Sequence, residues 1–286
     1  MTPCLANKFF LCYTLYHENG AGHTCHKGDF FMATYGLLGE HLSHSYSKPI
    51  HEALADYTYD LIELTKEGVK EFMTAKDFSA VNVTIPYKTE VIPYLDELDD
   101  RAKKIGAVNT VVNRNGKLTG YNTDYYGFLY TLQKNNIKIS GEKVLVLGNG
   151  GAAKAVLAVL SDLNAKEIVI VKRSSGEGIC SYEEAYALHS DATVLINTSP
   201  VGMYPHTDET PTPLTPFPHL TAVVDLIYNP EVTQLLAEAK DRGLIAVNGL
   251  EMLVSQAFYA VQYFLDRSLD ERKIEEVTKM IKETLY

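Results

Sequence analysis

Short apolar runs rich in β-branched residues alternate with longer amphipathic stretches over most of this chain. The apolar runs of the first half predict strands at 33–38, 59–64, 80–85 and 107–112. The stretches between them predict helices at 50–55, 69–75 and 99–104. This alternation is typical of a mostly parallel sheet covered by helices, so the first half is predicted to be α/β.

The second half repeats the alternation in a denser form. Strands are predicted at 143–147, 167–172, 193–197, 222–226 and 245–247. Helices are predicted at 152–163, 182–188 and 233–242. Such a βαβ series is the arrangement of a nucleotide-binding domain, and a helix at 125–135 separates it from the first half.

Two helices, at 251–266 and 270–285, are predicted to end the chain. The last has one apolar face that must pack on another part of the molecule, formed by Ile274, Val277, Ile281 and Leu285. The pattern divides the chain into an atypical extension at 1–31, an α/β domain at 32–124, a nucleotide-binding domain at 125–247 and terminal helices at 248–286.

Composition and charge exclude several classes of protein. A chain of 286 residues that is 46% hydrophobic has enough apolar residues for two cores, so disorder is not its predicted state. The 36 acidic and 26 basic residues give a net charge of −10, the opposite of a nucleic-acid-binding protein. No apolar run reaches the ~20 residues of a transmembrane helix.

The four cysteines show no paired spacing, and three of them lie before residue 32: Cys4, Cys12, Cys25 and Cys180. The body of the protein therefore does not depend on disulfides, which favours a cytoplasmic location.

The first 31 residues are rich in His, Cys and Phe and have no sustained period. They lack the basic leader and the cleavage site of a secretory signal. His23, Cys25 and His26 match no zinc-site spacing, so we predict a poorly packed tail and no metal site.

A glycine loop follows the predicted strand VLVL and begins the helix KAVLAVL. It has the pattern G-x-G-x-x-A and consists of Gly148, Asn149, Gly150, Gly151, Ala152 and Ala153. The first glycine permits a tight turn, the second lets a pyrophosphate approach the backbone, and the final alanine lets the helix pack closely. Free N–H groups at the helix start favour phosphates. The loop predicts dinucleotide binding, with a purely structural turn as the alternative.

The end of the next strand distinguishes the two nicotinamide cofactors. An acid there would accept hydrogen bonds from a ribose 2′-hydroxyl, but this chain has Lys172, Arg173 and Ser174. A guanidinium and a hydroxyl suit a 2′-phosphate, so NADP is preferred. The alternative is a solvated strand end, and Glu177 would oppose a phosphate if it pointed inward, so NAD stays possible.

Four polar clusters stand out in the first half: the first precedes Pro49 and His51, the second ends a predicted strand, the third begins another, and the fourth precedes the helix at 125–135. Polar side chains at strand ends commonly point into a cleft. They are SYS at 45–47, NVTIPYK at 82–88, GAVNT at 106–110 and GYNTD at 120–124.

These clusters, with motifs of the second half, resemble the shikimate dehydrogenase family between about residues 35 and 264. The matching stretches occur in the family's order and are GLLGEHLSHSYSKPIH, NVTIPYK, IGAVNTVV, GYNTD, VLVLGNGGAAKAV, INTSPVGM, VVDLIYNP and NGLEMLVSQA. The resemblance implies a substrate domain and a Rossmann-type NADP-binding domain around a cleft, with the C-terminal helices returning to the substrate domain. It also implies reduction of 3-dehydroshikimate to shikimate with NADPH in aromatic amino-acid biosynthesis, as part of the chorismate pathway.

Lys88 and Asp124 match the family's catalytic pair. The resemblance implies that the Lys88 ammonium stabilises the developing alkoxide and protonates it, while Asp124 orients that ammonium. Taken alone, each would be a surface charge or half of a weak salt bridge. They are far apart along the chain, so only the fold can bring them together.

Ser45 and Ser47 match the serine pair that holds the substrate carboxylate in the family. Alternate residues of an extended segment point the same way, so S-x-S could present both hydroxyls. The family usually has proline directly after this pair, whereas here Lys48 intervenes before Pro49. Lys48 either alters the loop or adds a positive charge near the carboxylate; a Ser-rich turn or helix cap is the alternative to the whole assignment.

Other positions match contacts to substrate and cofactor. Three residues match substrate contacts and carry hydroxyl or amide groups that suit a ring with several hydroxyls: Thr84, Asn109 and Gln256. Tyr228 matches a tyrosine near the substrate, with core packing as the alternative. Met203 and Gly249 match residues that shape the nicotinamide edge of the cleft.

Two other functions stay open. A quinate/shikimate dehydrogenase using NAD or NADP is close chemically, and a sensor that binds shikimate-like ligands without turnover belongs to another class. Lys88, Asp124 and the intact glycine loop argue against the sensor, which needs no proton donor. We expect a small-molecule substrate, no nucleic-acid or membrane partner, and a monomer or homodimer.

Overall fold

The computed structural model describes residues 34–43 and 45–286. The first of its two six-stranded sheets is built from β1 (Tyr35–Gly39), β2 (Tyr59–Glu63), β3 (Ala80–Val83), β4 (Glu97–Leu98), β5 (Thr110–Arg114) and β6 (Lys117–Tyr121). The strand order is β2-β1-β3-β5-β6-β4. Strand β1 is parallel to β2 and β3, whereas β5 runs antiparallel to β3 and β6.

The second sheet is parallel throughout. Its strands are β7 (Lys143–Leu147), β8 (Glu167–Lys172), β9 (Cys180–Ser181), β10 (Val194–Asn197), β11 (Ala222–Asp225) and β12 (Ile245–Val247), in the order β12-β11-β10-β7-β8-β9. The order reverses between β7 and β10. In parallel α/β sheets, ligands bind outside the carboxyl ends of the strands at such a switch point.

Helices cover both faces of each sheet. In chain order they are α1 (Ser47–Leu54), α2 (Lys66–Ala75), α3 (Asp100–Ile105), α4 (Asp124–Lys134), α5 (Gly151–Asp162), α6 (Tyr182–Leu188), α7 (Gln234–Asp241), α8 (Leu250–Leu265) and α9 (Arg272–Leu285). Helices α2 and α3 pack on one face of the first sheet and α8 on the other. Helices α4 and α5 cover one face of the second sheet, and α6 and α7 the other.

The C-terminal helices return to the first half of the chain, as predicted. Residues Ile274, Val277 and Ile281 of α9 are buried against α1 and α8, and Leu285 packs against the same cluster. Helix α8 also links the two sheets, because Met252 near its start joins the core of the second sheet and Phe264 near its end joins that of the first.

The predicted α/β class with mostly parallel sheets is confirmed, and the structure adds strands that the pattern did not predict. One is β6, which follows β5 through Asn115 and Gly116. Both residues have positive φ, 55° and 85°, as a two-residue hairpin turn of the Asn-Gly type requires. The other unpredicted strands, β4 and β9, have two residues each, too few to show a period.

The domain boundaries at 124/125 and 247/248 stay predictions, and so does the extension at 1–31, which lies outside the described residues together with His23, Cys25 and His26. Across 34–43 and 45–286, no helix combines the length and apolar character that a bilayer crossing requires.

Candidate active site

A cavity of about 690 Å³ opens at the carboxyl end of the second sheet. One wall is the glycine loop, residues 148–152. A second wall comes from the loops after β10 and β11, at 198–200, 203–204 and 226–229. The opposite side is formed by residues of the first half: Ser43, Ser45, Tyr46 and Ile85. The cavity thus lies between the two sheets, at the switch point between β7 and β10.

Lys88 and Asp124 meet in the structure. Lys88 lies in the turn after β3 and Asp124 begins α4, and Lys88 Nζ donates to Asp124 Oδ2 over 2.5 Å. Their side chains are only 14% and 9% exposed. A charged hydrogen bond shielded in this way is stronger than one on the surface. The fold therefore supplies a fixed ammonium–carboxylate pair.

A second hydrogen bond fixes the carboxylate. The buried Asn109 donates from Nδ2 to Asp124 Oδ1 over 2.9 Å and accepts at Oδ1 from the Thr123 backbone over 2.7 Å, so its amide orientation is set. Asn109 Nδ2 also lies 3.4 Å from Oε1 of Gln256 on α8. Four of the predicted residues, Lys88, Asn109, Asp124 and Gln256, therefore form one connected polar cluster.

The approach of α8 to this cluster depends on Gly127 in α4. A Cβ at Gly127 would lie 2.9 Å from both Gln256 Cβ and the Met252 carbonyl oxygen. Because neither atom has room to move away easily, a larger residue would push α8 from α4. The glycine thus permits Gln256 to reach Asn109.

The polar cluster adjoins the cavity through the stem of Lys88. A Cβ built on Gly151 in the glycine loop would lie 3.6 Å from Lys88 Cδ, an ordinary van der Waals distance. Lys88, Asn109, Asp124 and Gln256 are not themselves among the residues that line the cavity. The Lys88 side chain therefore lies next to the start of α5.

The glycine loop has the conformation that its sequence predicted. Gly148 has a φ of +101°, and a Cβ there would lie 2.8 Å from Thr198 Oγ1. Gly150 is the extended residue before α5, a Cβ on it would meet no atom within 4 Å, and no side chain caps the helix. Open space beside uncapped N–H groups suits a pyrophosphate. Ala153 is fully buried under the loop, as close helix packing requires.

The serine pair differs from its prediction. Ser47 is not in an extended segment, because α1 begins at Ser47, whose side chain is buried. Its backbone N–H donates to Ser45 Oγ over 3.2 Å, so the two serines share a local turn, and their contact with a substrate carboxylate stays a prediction. Only Ser45 of the two lines the cavity. Since Ser45 Oγ accepts from the backbone, its own hydrogen is available to a ligand.

Lys48 does not add charge to the cavity. Its ammonium donates to Glu52 Oε1 and to the Tyr59 carbonyl oxygen, each over 2.7 Å. These partners lie on α1 and β2. The lysine at the family's proline position is therefore paired, and it does not line the cavity.

The remaining predicted residues fall into two groups. Tyr228 and Met203 line the cavity, and the Tyr228 ring meets that of Tyr46 edge-on with centroids 6.1 Å apart. Burial raises the pKa of Tyr228. The residues outside the cavity lining are Thr84, Gly249, Lys172, Arg173 and Ser174. Of these, the last three are exposed at the end of β8, as is Glu177 nearby.

Sequence reasoning missed most of the wall formed by the loops after β10 and β11. The segments TSP at 198–200 and LIYN at 226–229 directly follow those two strands. A signal was present, because residues after parallel strands collect at one sheet edge. Tyr46 and Ile85 were also missed, since large apolar residues are otherwise assigned to the core.

Sequence comparison identifies the family. Residues 37–111 match the family model described as the shikimate dehydrogenase substrate binding domain. A protein named shikimate dehydrogenase (NADP(+)) from Clostridium beijerinckii is 42% identical over 258 residues, which cover 84% of this chain and 95% of that protein. The chain belongs to the shikimate dehydrogenase family.

Solved structures of this family agree with the fold. A chorismate mutase/shikimate 5-dehydrogenase fusion protein from Clostridium acetobutylicum has a TM-score of 0.83 at 39% identity, covering 89% of this chain and 98% of that chain. Shikimate 5-dehydrogenase from Thermus thermophilus, in complex with NADP(H) and shikimate, has a TM-score of 0.76 at 31% identity, covering 87% of this chain and 99% of that chain. The likeness therefore extends over both sheets.

Proposed function

We propose that this chain catalyses the reversible reduction of 3-dehydroshikimate to shikimate with NADPH, in aromatic amino-acid biosynthesis. The observation that carries the proposal is the Lys88–Asp124 pair, 2.5 Å apart, whose lysine stem adjoins the glycine loop. Membership of the shikimate dehydrogenase family supplies the substrate. A proton-donating pair beside a dinucleotide loop is what ketone reduction requires.

Residues 148–152 and the start of α5 would hold the cofactor pyrophosphate, because they offer open space and uncapped N–H groups. The bound cofactor supplies a hydride to the carbonyl carbon of the substrate. Met203 and Tyr228 line the cavity on the far side of the loop, where they exclude water from the reacting atoms.

The proton on the substrate oxygen comes from Lys88. As the carbonyl carbon gains a hydride, negative charge grows on the oxygen, where the Lys88 ammonium stabilises it and then transfers a proton. Asp124 holds that ammonium in place and Asn109 holds Asp124. In the reverse direction, Lys88 takes up the proton of the substrate hydroxyl.

Ser45 would bind the substrate carboxylate. It lines the cavity with a free hydroxyl hydrogen and directly precedes Tyr46 and the start of α1, whose N-terminal dipole favours an anion. Thr84, Asn109 and Gln256 are proposed to bind ring hydroxyls.

Replacing Ser45 with alanine is expected to raise KM for shikimate by ~10–100-fold, the worth of one hydrogen bond to a charged group. The KM for the cofactor should stay the same, because Ser45 is not part of the loop that binds it. Steady-state kinetics would measure both constants. Ser161→Ala, a matched change at an exposed position of α5, serves as control. An unchanged KM for shikimate would contradict the carboxylate role.

The cofactor is proposed to be NADP, with Arg173, Lys172 and Ser174 around its 2′-phosphate. These side chains are exposed at the end of β8. Strand β8 pairs with β7, which leads into the glycine loop. Such exposure leaves them free to close on a phosphate, but weakens each contact through solvent screening. Some use of NAD is consistent with that arrangement.

The Arg173→Ala variant is expected to raise KM for NADP by ~10-fold or more and to leave KM for NAD unchanged, since only NADP carries the phosphate. The same change at Arg267, an exposed arginine between α8 and α9, should alter neither value. Equal effects on both cofactors would show that Arg173 does not read the phosphate.

One assay tests the proposed function. Purified protein is mixed with shikimate or quinate and with NADP or NAD, and the absorbance of the reduced cofactor is followed. We expect the highest kcat/KM for shikimate with NADP. Faster turnover of quinate would indicate a quinate/shikimate dehydrogenase, and binding of shikimate without turnover of any pair would indicate a sensor.

A cytoplasmic location is also proposed, because the described residues hold a single cysteine, Cys180, as a free thiol. All proposed substrate and cofactor groups come from one chain, so the reaction needs no second copy. We accordingly propose a monomer or homodimer.

A further inference from the structure

A buried polar network lies behind the cavity wall and has no part in the proposed proton transfer. Its centre is Asp225 at the end of β11, which is fully buried. Oδ1 of Asp225 accepts from Asn197 Nδ2 over 2.9 Å and from the Ile227 backbone over 3.1 Å. Oδ2 accepts from Thr233 Oγ1 over 2.7 Å. One carboxylate therefore has three hydrogen-bond donors.

The network ties three segments together. Asn197 ends β10, and its Oδ1 accepts from the backbone and the hydroxyl of Ser199 over 3.0 and 2.7 Å. Thr233 is the residue before α7 and caps it by accepting from Leu236 N over 3.3 Å. The loop after β10, the loop after β11 and the start of α7 are thus joined through Asp225.

The two joined loops are those that wall the cavity opposite Ser45. The cavity-lining residues at 198–200 and 203–204 come after Asn197 in the chain, and those at 226–229 come directly after Asp225. Strand β7 lies between β10 and β8, and a 2′-phosphate would bind at the end of β8. The adenosine half of a bound dinucleotide would therefore lie at β8. Its nicotinamide half would lie over the ends of β10 and β11, against these loops.

The chemistry of Asp225 explains why an acid occupies this buried position. Its three partners are neutral, and burial raises the pKa of Asp225 to about 6. A buried carboxylate without a cation is costly compared with an apolar residue of the same size. An apolar side chain, however, would leave Asn197, Thr233 and the Ile227 N–H unpaired. What Asp225 supplies is a polar group that pairs with all three donors.

We propose that Asp225 is a positioning residue, which holds the loops after β10 and β11 at the spacing that the nicotinamide end of the cofactor requires. The inference rests on the proposed function, because it assumes a nicotinamide dinucleotide in the cleft. Asp225 is proposed to contact neither substrate nor cofactor. It acts through Asn197, Ser199 and Ile227.

The test compares two probes that differ only in the nicotinamide end. NADP⁺ carries that end, and 2′-phospho-ADP-ribose lacks it. For Asp225→Ala, calorimetry should show binding of NADP⁺ weakened by ~10-fold or more, since several loop hydrogen bonds are lost, while binding of 2′-phospho-ADP-ribose changes less than about twofold. The kcat with shikimate should fall as well.

The conservative variant Asp225→Asn should rescue the protein. Its amide oxygen can accept from Asn197 and Ile227, and its amide nitrogen can donate to the Thr233 hydroxyl, which also accepts. We expect NADP⁺ affinity within about threefold of the unaltered protein. Thr233→Val removes one donor to Asp225 and should give an intermediate loss confined to NADP⁺, which keeps the test decisive if the alanine variant does not fold.

Asn113→Ala is the control for a general loss of stability. The Asn113 side chain, in β5 of the first sheet, donates to the carbonyl oxygens of Lys76 and Phe78 just before β3. This variant should unfold at lower temperature with both affinities unchanged. Equal losses for both probes in the Asp225 and Thr233 variants, or no loss for either, would overturn the positioning role. If the unaltered protein bound neither probe, the proposed function itself would fail.

Discussion

Replacing Lys88 with alanine is expected to lower kcat by ~10²–10⁴-fold, or about 3–5 kcal/mol of transition-state stabilisation. The reason is geometric: Lys88 Nζ is held 2.5 Å from Asp124 Oδ2, in a position shielded from water, and no other ammonium among the described residues shares a salt bridge with Asp124. Alanine removes both the charge that stabilises the alkoxide and the proton that neutralises it. The KM for shikimate should change much less, because Ser45 and the amides retain their contacts.

Steady-state kinetics of shikimate oxidation would measure the effect, with thermal unfolding as a check that the variant folds. Lys66→Ala is a matched control, because Lys66 Nζ lies 3.3 Å from Glu90 Oε2 in a pair that is 71% and 44% exposed. Losing such a surface pair is worth at most about 1 kcal/mol of stability and should leave kcat unaltered. A Lys88→Ala variant whose only defect is a raised KM would show that Lys88 binds substrate without taking part in the chemistry.

The sequence predicts the chemistry of the site better than its shape. The glycine loop could be placed because a strand, a glycine pattern and a helix must occur in that order. The strand bounds of β7, β8 and β12 agree with those predicted. For β7 the reason is that it lies inside the parallel sheet and is buried from Val144 to Leu147, which makes it a short, continuous apolar run. The Lys88–Asp124 contact could be expected only through the family resemblance.

Side-chain orientation was not predictable in the same way. The turn at Ser45 and Ser47 depends on a backbone N–H that only the start of α1 provides. Lys48 points away from the cavity because Glu52, one helical turn later, and the Tyr59 carbonyl oxygen on β2 both attract it. The second partner lies on another element, and a local pattern carries no information on it.

The polar cluster of the site continues into the core of the first sheet. Asn109 Oδ1 accepts from Thr110 Oγ1 over 3.0 Å, and Thr110 Oγ1 in turn accepts from Asn82 Nδ2 over 3.0 Å. Asn82 Oδ1 accepts from the buried Tyr59 hydroxyl over 2.7 Å. The carboxylate that orients Lys88 is therefore supported by hydrogen bonds that end in the aromatic core around Tyr59.

His51 lies in that aromatic core, and its burial has a consequence for stability. Its ring stacks on Tyr59 with centroids 4.0 Å apart and an interplanar angle of 12°. His51 Nδ1 lies 2.7 Å from the Tyr57 hydroxyl, while Nε2 has no partner among the described residues. Burial raises the pKa of Tyr57, so the phenol stays protonated and shares one hydrogen bond with Nδ1. No acidic group in the part of the chain that the structure describes pairs with the ring, and burial favours the neutral imidazole.

The folded protein is expected to lose stability in mild acid because of His51. Burial lowers the pKa of His51 from its ordinary 6.5 to about 3. As the pH falls below 6.5, the unfolded chain takes up a proton at this residue and the folded chain does not, so the free energy of unfolding decreases. The loss is absent above pH 6.5, amounts to about 2 kcal/mol at pH 5 and approaches about 5 kcal/mol near pH 3. Denaturant unfolding at pH 7 and pH 5 would measure it.

The His51→Phe variant separates this effect from other acid-sensitive groups. Phenylalanine keeps a stacked ring but cannot take up a proton, so the decrease in unfolding free energy between pH 7 and pH 5 should be smaller by about 2 kcal/mol than in the unaltered protein. The variant is expected to be less stable at pH 7, because the Tyr57 hydroxyl loses its hydrogen-bond partner; the pH difference is the informative quantity. His219→Phe, the same change at an exposed residue, should leave that difference as it was.

An equal pH difference in the His51 variant and the unaltered protein would mean that His51 is protonated in the folded state, where it would need an acidic partner or contact with water. All other acidic and basic groups are the same in the unaltered protein and the His51 variant, so their contributions cancel from the comparison.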